Sequence, residues 1–237
     1  MTFDVTIIHW PTVADFTAYL ASQPRPAWCT GLCDHNTYRP DENGWQGLAS
    51  MRSMAKTYAS RGWTAGPHLF CAAVCPDPAD RGVWQMTPLA HQGVHAGPCN
   101  STHLGIEHVG DFQARPPTYA QWQLAVDVNV AICRAWRLRA GTVRVHKECM
   151  PDRVCPGQYF SANTLRADVQ AALLAPTHGQ YRVIGVPIYH DSQLQSPTGQ
   201  HIESGTLIAI DATAIDNPTA YHKRAGHLES GDGFINL

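Results

Sequence analysis

In the segment Thr142–Gly157, TVRVHKECMPDRVCPG, an apolar strand-like run ends in His146, and nine residues later Cys155 is followed at once by Pro156-Gly157. A strand and the loop after it can thus offer an imidazole and a thiolate to one metal ion. An ion that keeps a coordination position open is a catalyst as well as a staple. Such chemistry needs a third ligand and an acid–base group. Two further strand-end segments carry candidates: Asp34-His35-Asn36-Thr37 and Leu104-Gly105-Ile106-Glu107-His108-Val109-Gly110. Period-2 alternation puts Glu107 on one strand face with Gly105 and Val109, opposite Leu104, Ile106 and His108. A carboxylate on such a face is either solvated or in a cleft, where desolvation raises its pKa towards the working range.

The elements that must position these residues are legible in outline. Asp4–Trp10 reads as a strand, followed by a helix with Pro11 at its first position and Val13, Phe16, Tyr19 and Leu20 at helical spacing. Trp28–His35 is a second strand-like run. The spacing of Leu48, Met51, Met54, Ala55 and Tyr58 predicts a helix over Trp45–Tyr58, ended by Gly62. His68–Val74 and Val83–Met86 read as a strand pair and Leu104–Val109 as an apolar strand. Thr118 caps a long helix to about Arg139, Val143–His146 is the next strand and Asn163–Leu174 the last helix. Strands and helices interleave up to about Ala175, which predicts an α/β domain around one mixed sheet, residues 1–175. Beyond it, Tyr181–Val186, Pro187–Tyr189, Leu207–Ile210 and Gly233–Leu237 are short β-like runs separated by turn residues such as Ser196-Pro-Thr-Gly. They predict a small all-β barrel over 181–237.

Composition excludes several classes. A chain of 237 residues with a net charge of −2 lacks the basic face of a nucleic-acid binder. No apolar run reaches membrane-spanning length, and the N-terminus lacks the pattern of a secretory signal. Synthesis in the cytoplasm is the expectation, and with it eight reduced cysteines. The pairs Cys29/Cys33 and Cys71/Cys75 read as buried thiols, with a structural zinc site as the alternative.

Five motifs, in order, resemble the zinc-dependent N-acetylmuramoyl-L-alanine amidases, the family that includes phage endolysins and is related to peptidoglycan recognition proteins. They are Asp34–Thr37, Gly66-Pro67-His68-Leu69-Phe70, His95-Ala96-Gly97 with Asn100, Leu104–Gly110, and His146 through Cys155-Pro156-Gly157. The resemblance covers about residues 28–175. It implies a central sheet flanked by helices, bacterial peptidoglycan as partner, and zinc held by His35, His146 and Cys155. Two neutral imidazoles and a thiolate leave the ion net positive and one position free for water. Glu107 is then the acid–base group and Arg153, where many members carry lysine, the oxyanion-stabilising cation. His68, His95 and Asn100 are expected to line the substrate cleft or to stand behind the ligands. Two departures stand out. Pro67 occupies the place where phage-type members often have tyrosine, and Cys149 lies inside the His146–Cys155 interval as a competing thiol.

The C-terminal run resembles a bacterial src-homology-3-like barrel of the kind attached to cell-wall hydrolases, which implies anchoring to the wall. The resulting expectation is an endolysin-like hydrolase, phage- or prophage-encoded, made without a signal peptide and acting on the wall after release, with no membrane insertion. The alternatives are a non-catalytic peptidoglycan-recognition protein and a cysteine peptidase of wall peptides using Cys155 and His146.

Overall fold

A computed structural model of the protein describes residues 7–174 and, beyond them, the strand backbones at 180–182, 187–189, 197–201, 207–216, 224–228 and 234–236. The chain divides into two compact units, Met1–Leu174 and Ala175–Leu237.

The first unit is a six-stranded mixed sheet with flanking helices. In chain order its elements are β1 (Ile8–Trp10), α1 (Val13–Leu20), β2 (Gly31–Asn36), α2 (Gly47–Ser60), β3 (Leu69–Ala72), β4 (Gly82–Gln85), β5 (His103–His108), α3 (Tyr119–Trp136), β6 (Val143–Val145), α4 (His146–Cys149) and α5 (Ala162–Leu174). The sheet order is β1-β4-β3-β5-β2-β6. Strands β3, β5, β2 and β6 are parallel, and β4 and β1 close one edge antiparallel. Local chemistry sets the helix ends. Thr118 and Gln121 form a reciprocal capping box at the start of α3, and Arg137 in the left-handed region ends it. At α1 the cap is Thr12, whose hydroxyl accepts the Asp15 N–H, so Pro11 precedes the helix instead of opening it.

The two sheet faces are packed differently. Leu32, Leu69, Leu104, Ile106, Val143 and Val145 point to one side, where Phe16, Leu20, Ala125, Ile132, Trp136, Leu165 and Val169 of α1, α3 and α5 bury them in the main core. Phe70, Ala72, Trp84, Met86 and Val109 point to the other side and meet Trp45 and the α2 residues Met51, Met54 and Ala55. That second layer covers only part of its face. Beside it the sheet is overlain by a 3₁₀ turn, Gly97–Ser101, with Cys33, Ala96 and Cys99 packed together.

The second unit is a six-stranded sheet of order β7-β10-β11-β12-β8-β9, antiparallel at every pairing. Its strands are β7 (Gln180–Arg182), β8 (Pro187–Tyr189), β9 (Pro197–His201), β10 (Leu207–Asp216), β11 (Arg224–Leu228) and β12 (Phe234–Asn236). Residues 197–199, expected as a turn, lie in β9, and residues 183–186 of the first expected strand fall outside the described residues.

Phe160 is 1% exposed and sits among the rings of Phe112, Trp122 and His108, at centroid distances of 5.4, 5.1 and 5.3 Å. Phe160→Ala is expected to cost about 3–5 kcal/mol of unfolding free energy, read from the midpoint of denaturant unfolding.

Candidate metal centre

Parallel pairing brings the chemistry together. In register, His35 on β2 lies opposite Glu107 on β5, and Glu107 lies opposite Phe70 on β3. Paired residues share a face, so His35 and Glu107 both point to the partly covered side, at the carboxyl ends of their strands. Strand β6 ends at Val145, opposite Asp34, and His146 is the first residue of the short helix α4 rather than the last of a strand. The loop after α4 returns Cys155 to the end of β2, where Asn36 N–H points at its sulfur at 3.5 Å.

His35 Nδ1 lies 3.1 Å from His146 Nδ1 and 3.7 Å from Cys155 Sγ. The ligand atoms of all three lie within 4.8 Å of one another, a group able to hold a metal ion. With bonds of about 2.0–2.1 Å to nitrogen and about 2.3 Å to sulfur, a tetrahedral ion needs edges of roughly 3.3 Å (N to N) and 3.6 Å (N to S). The observed separations fit those edges.

Hydrogen bonds fix the tautomer of His35. His95 Nε2 is 3.0 Å from the His103 carbonyl oxygen, which can only accept, so Nε2 carries the proton and Nδ1 is the acceptor. His35 Nε2 is 3.0 Å from that Nδ1 and therefore donates to it. The lone pair of His35 is left on Nδ1, aimed at His146 and Cys155. Asn100 holds this arrangement from behind, its Oδ1 accepting the N–H groups of His95 at 2.9 Å and Ala96 at 2.7 Å. Burial keeps the imidazoles neutral, the form that ligates metals. It pushes His35 well below the ordinary histidine range and His95 down to about 3, and burial with the nearby Arg153 charge lowers His146.

Glu107 is 8% exposed, its Oε2 is buried without a hydrogen-bond partner, and desolvation pushes its carboxyl up to about 8. Arg153 is not drawn into the cleft. Its side chain is 55% exposed and lies 3.5 Å from Asp152.

Several expectations need correction. His68 is fully buried, with Nε2 donating to the His91 carbonyl at 2.9 Å and Nδ1 accepting the Gly105 N–H at 3.0 Å. Both nitrogens serve the backbone, so it is a strut between strands and not a substrate contact. His95 and Asn100 spend their bonds on His35 and on the backbone of His95 and Ala96. Cys99 and Cys149 form a disulfide where reduced thiols were expected, which removes Cys149 as a competing ligand. Cys29, Cys33, Cys71 and Cys75 are free and buried.

Sequence reasoning missed two neighbours. Lys147 donates to the Gly157 carbonyl at 3.2 Å, and its charge favours the Cys155 thiolate. Tyr58, on α2, lies within electrostatic reach of Glu107 and Cys155. Tyr58 follows the helical stripe that signals core, and only the fold shows that this stripe ends at the cleft.

The sequence profile of the N-acetylmuramoyl-L-alanine amidase family, Amidase_2, matches residues 29–158, and the chain belongs to that family. The matched span contains every residue of the centre. Among solved structures, the chain is similar to the endolysin N-acetylmuramoyl-L-alanine amidase LysCS from Clostridium intestinale URNW, at 18% identity over 63% of this chain and 86% of that chain, TM-score 0.48. It is also similar to a mutant of Drosophila PGRP-LB in complex with tracheal cytotoxin (18% identity, 67% and 83% of the two chains, TM-score 0.47). A third likeness is to AmpD (21% identity, 63% and 86%, TM-score 0.46). A comparison with curated proteins finds no match.

Gly105, in the Leu-Gly-Ile-Glu motif, leaves room for His95: a Cβ there would stand 2.6 Å from the imidazole carbon Cγ. Gly105→Ala is expected to displace His95 from His35 and to weaken metal binding by about 10-fold or more while the far-ultraviolet spectrum is kept. Competition with a chromophoric chelator measures the loss.

Proposed function

We propose that the protein is a zinc-dependent N-acetylmuramoyl-L-alanine amidase that cleaves the amide between N-acetylmuramic acid and L-alanine in peptidoglycan. The observation that carries the reading is the convergence of two neutral imidazoles and one cysteine beside a buried, unpartnered carboxylate, in a chain of the amidase family. His35, His146 and Cys155 are the proposed zinc ligands. When bound, zinc supplies a Lewis acid that polarises the amide carbonyl and lowers the pKa of a water.

The chain's own residues do the rest. Glu107 removes a proton from the attacking water and delivers it to the leaving alanine nitrogen. A carboxyl raised to about 8 by burial exchanges protons near neutrality, where an ordinary glutamate stays ionised. Arg153 supplies positive charge to the developing oxyanion once it leaves Asp152, and its reach to His146 supports this assignment. The thiol-peptidase alternative is disfavoured because burial and the Glu107 charge push the Cys155 thiol up, which suppresses a free thiolate nucleophile. Among the described residues no helix is long and apolar enough to cross a membrane. The endolysin assignment, and the second unit as a src-homology-3-like wall-binding barrel, belong to the same proposal. The antiparallel six-stranded sheet of that unit supports it.

Digestion of purified peptidoglycan is expected to release peptides with free L-alanine N-termini, lost with chelator and regained with zinc. Products cut in the glycan or within the peptide would overturn the reading. Glu107→Gln is expected to lower the rate by about 10²–10⁴-fold while zinc stays bound. It also has a stability signature in metal-free protein. The folded pKa of Glu107 stands above its ordinary value of 4.5, so the buried acid costs nothing below that pH and costs progressively more up to about 8. The melting temperature of the variant relative to the parent is therefore expected to rise between pH 4 and pH 9.

A further inference from the structure

The Cys99–Cys149 disulfide joins the two segments on which the metal ligands depend. Cys149 ends α4, the four-residue helix that begins with His146. Cys99 lies in the 3₁₀ turn Gly97–Ser101, next to Asn100, whose Oδ1 holds the His95 loop. His95 in turn fixes the tautomer and direction of His35. One covalent bond thus ties the segment that carries one imidazole ligand to the segment that orients the other. A single helical turn has little stability of its own. Helix α4 is otherwise held from outside, by Arg166 on Glu148 at 3.0 Å and by Lys147 N–H on the Cys155 carbonyl at 3.0 Å. At the same junction Met150 fills the space over Gly97. Cys149 is half-buried, so an external thiol can reach it, and a third sulfur, Cys33 Sγ, lies 3.8 Å away.

We propose that the Cys99–Cys149 disulfide is a positioning bond for the metal ligands, opened by dithiol reductants, and that opening it weakens metal binding. The proposal rests on the assignment of His35, His146 and Cys155 as ligands. One thiolate of the reductant attacks Cys149 Sγ, and Cys99 leaves as a thiolate that takes up a proton. The second reductant sulfur then displaces Cys149 from the mixed disulfide. The reductant is oxidised to its own disulfide, and two protein thiols form. A reducing cytoplasm then favours a loose, metal-poor site and an oxidising exterior a tight one.

The test compares full-length protein before and after dithiol treatment, with the reductant removed under inert gas. Thiol titration of denatured protein is expected to count six free thiols before and eight after. Zinc affinity, from competition with a chromophoric chelator, is expected to fall about 10-fold or more on reduction and to recover on reoxidation. The visible bands of the cobalt(II)-loaded protein should change with it. Because Cys99→Ala alone frees Cys149 beside Cys33, the matching variant is Cys33→Ala with Cys99→Ala. It should match the reduced parent and ignore reductant, whereas Cys33→Ala alone should respond as the parent does. Equal zinc affinity in both redox states, or eight free thiols in untreated protein, overturns the proposal. Failure to bind zinc in either state overturns the ligand assignment instead.

Discussion

The in-register parallel pairing of β2 with β5 is the constraint on which the rest depends. It sets His35 beside Glu107 on one face, at the same height in the sheet. A slip of one residue in either strand would turn its side chain, His35 or Glu107, into the core and bring its neighbour, Asp34 or His108, out. The register is held because the alternate residues, Leu32 with Leu104 and Asp34 with Ile106, are buried against α1, α3 and α5. The apolar face thereby aims the polar one.

The far face also carries a buried polar cluster under the site. Asp34 accepts from His108 at 2.6 Å and from Asn129 of α3 at 2.9 Å, with all three nearly inaccessible. Asp34 and His108 are the sequence neighbours of His35 and Glu107. These bonds tie β2, β5 and α3 together directly beneath His35 and Glu107. Buried polar groups paired in this way rigidify the elements that carry them. The site is therefore braced twice, by Asp34–His108–Asn129 below and by the His95–Asn100 loop and the Cys99–Cys149 bond above.

Much of this was legible in the chain. The alternation from Leu104 to Val109 places Glu107 on the strand face opposite Leu104 and Ile106, which the core buries. The strand end near His35 followed from an apolar run and Thr118 announced α3, whereas the strand expected over Val143–His146 stops one residue short, at Val145. What stayed hidden depends on long-range contact. His68 follows a proline in a motif that reads as cleft-lining, yet its partners are the backbones at positions 91 and 105. Cys99 and Cys149 are 50 residues apart, and nothing in their local sequence pairs them. Arg153 sits at the position where the resembling family has a cation, but the sequence does not disclose that its guanidinium rests on Asp152 in solvent. In the second unit, β9 runs through the Pro197-Thr-Gly stretch that reads as a turn, because strand pairing there overrides local propensity.

X-ray absorption spectroscopy of the protein loaded with one equivalent of zinc tests the central claim most directly, since it reads the ligand atoms themselves. Two imidazole nitrogens at about 2.0–2.1 Å and one sulfur at about 2.3 Å are expected. Substituting His146→Ala should remove one imidazole shell, and Cys155→Ser should remove the sulfur shell. A zinc environment with several sulfurs, or one that both substitutions leave unchanged, would contradict the placement of the metal among His35, His146 and Cys155.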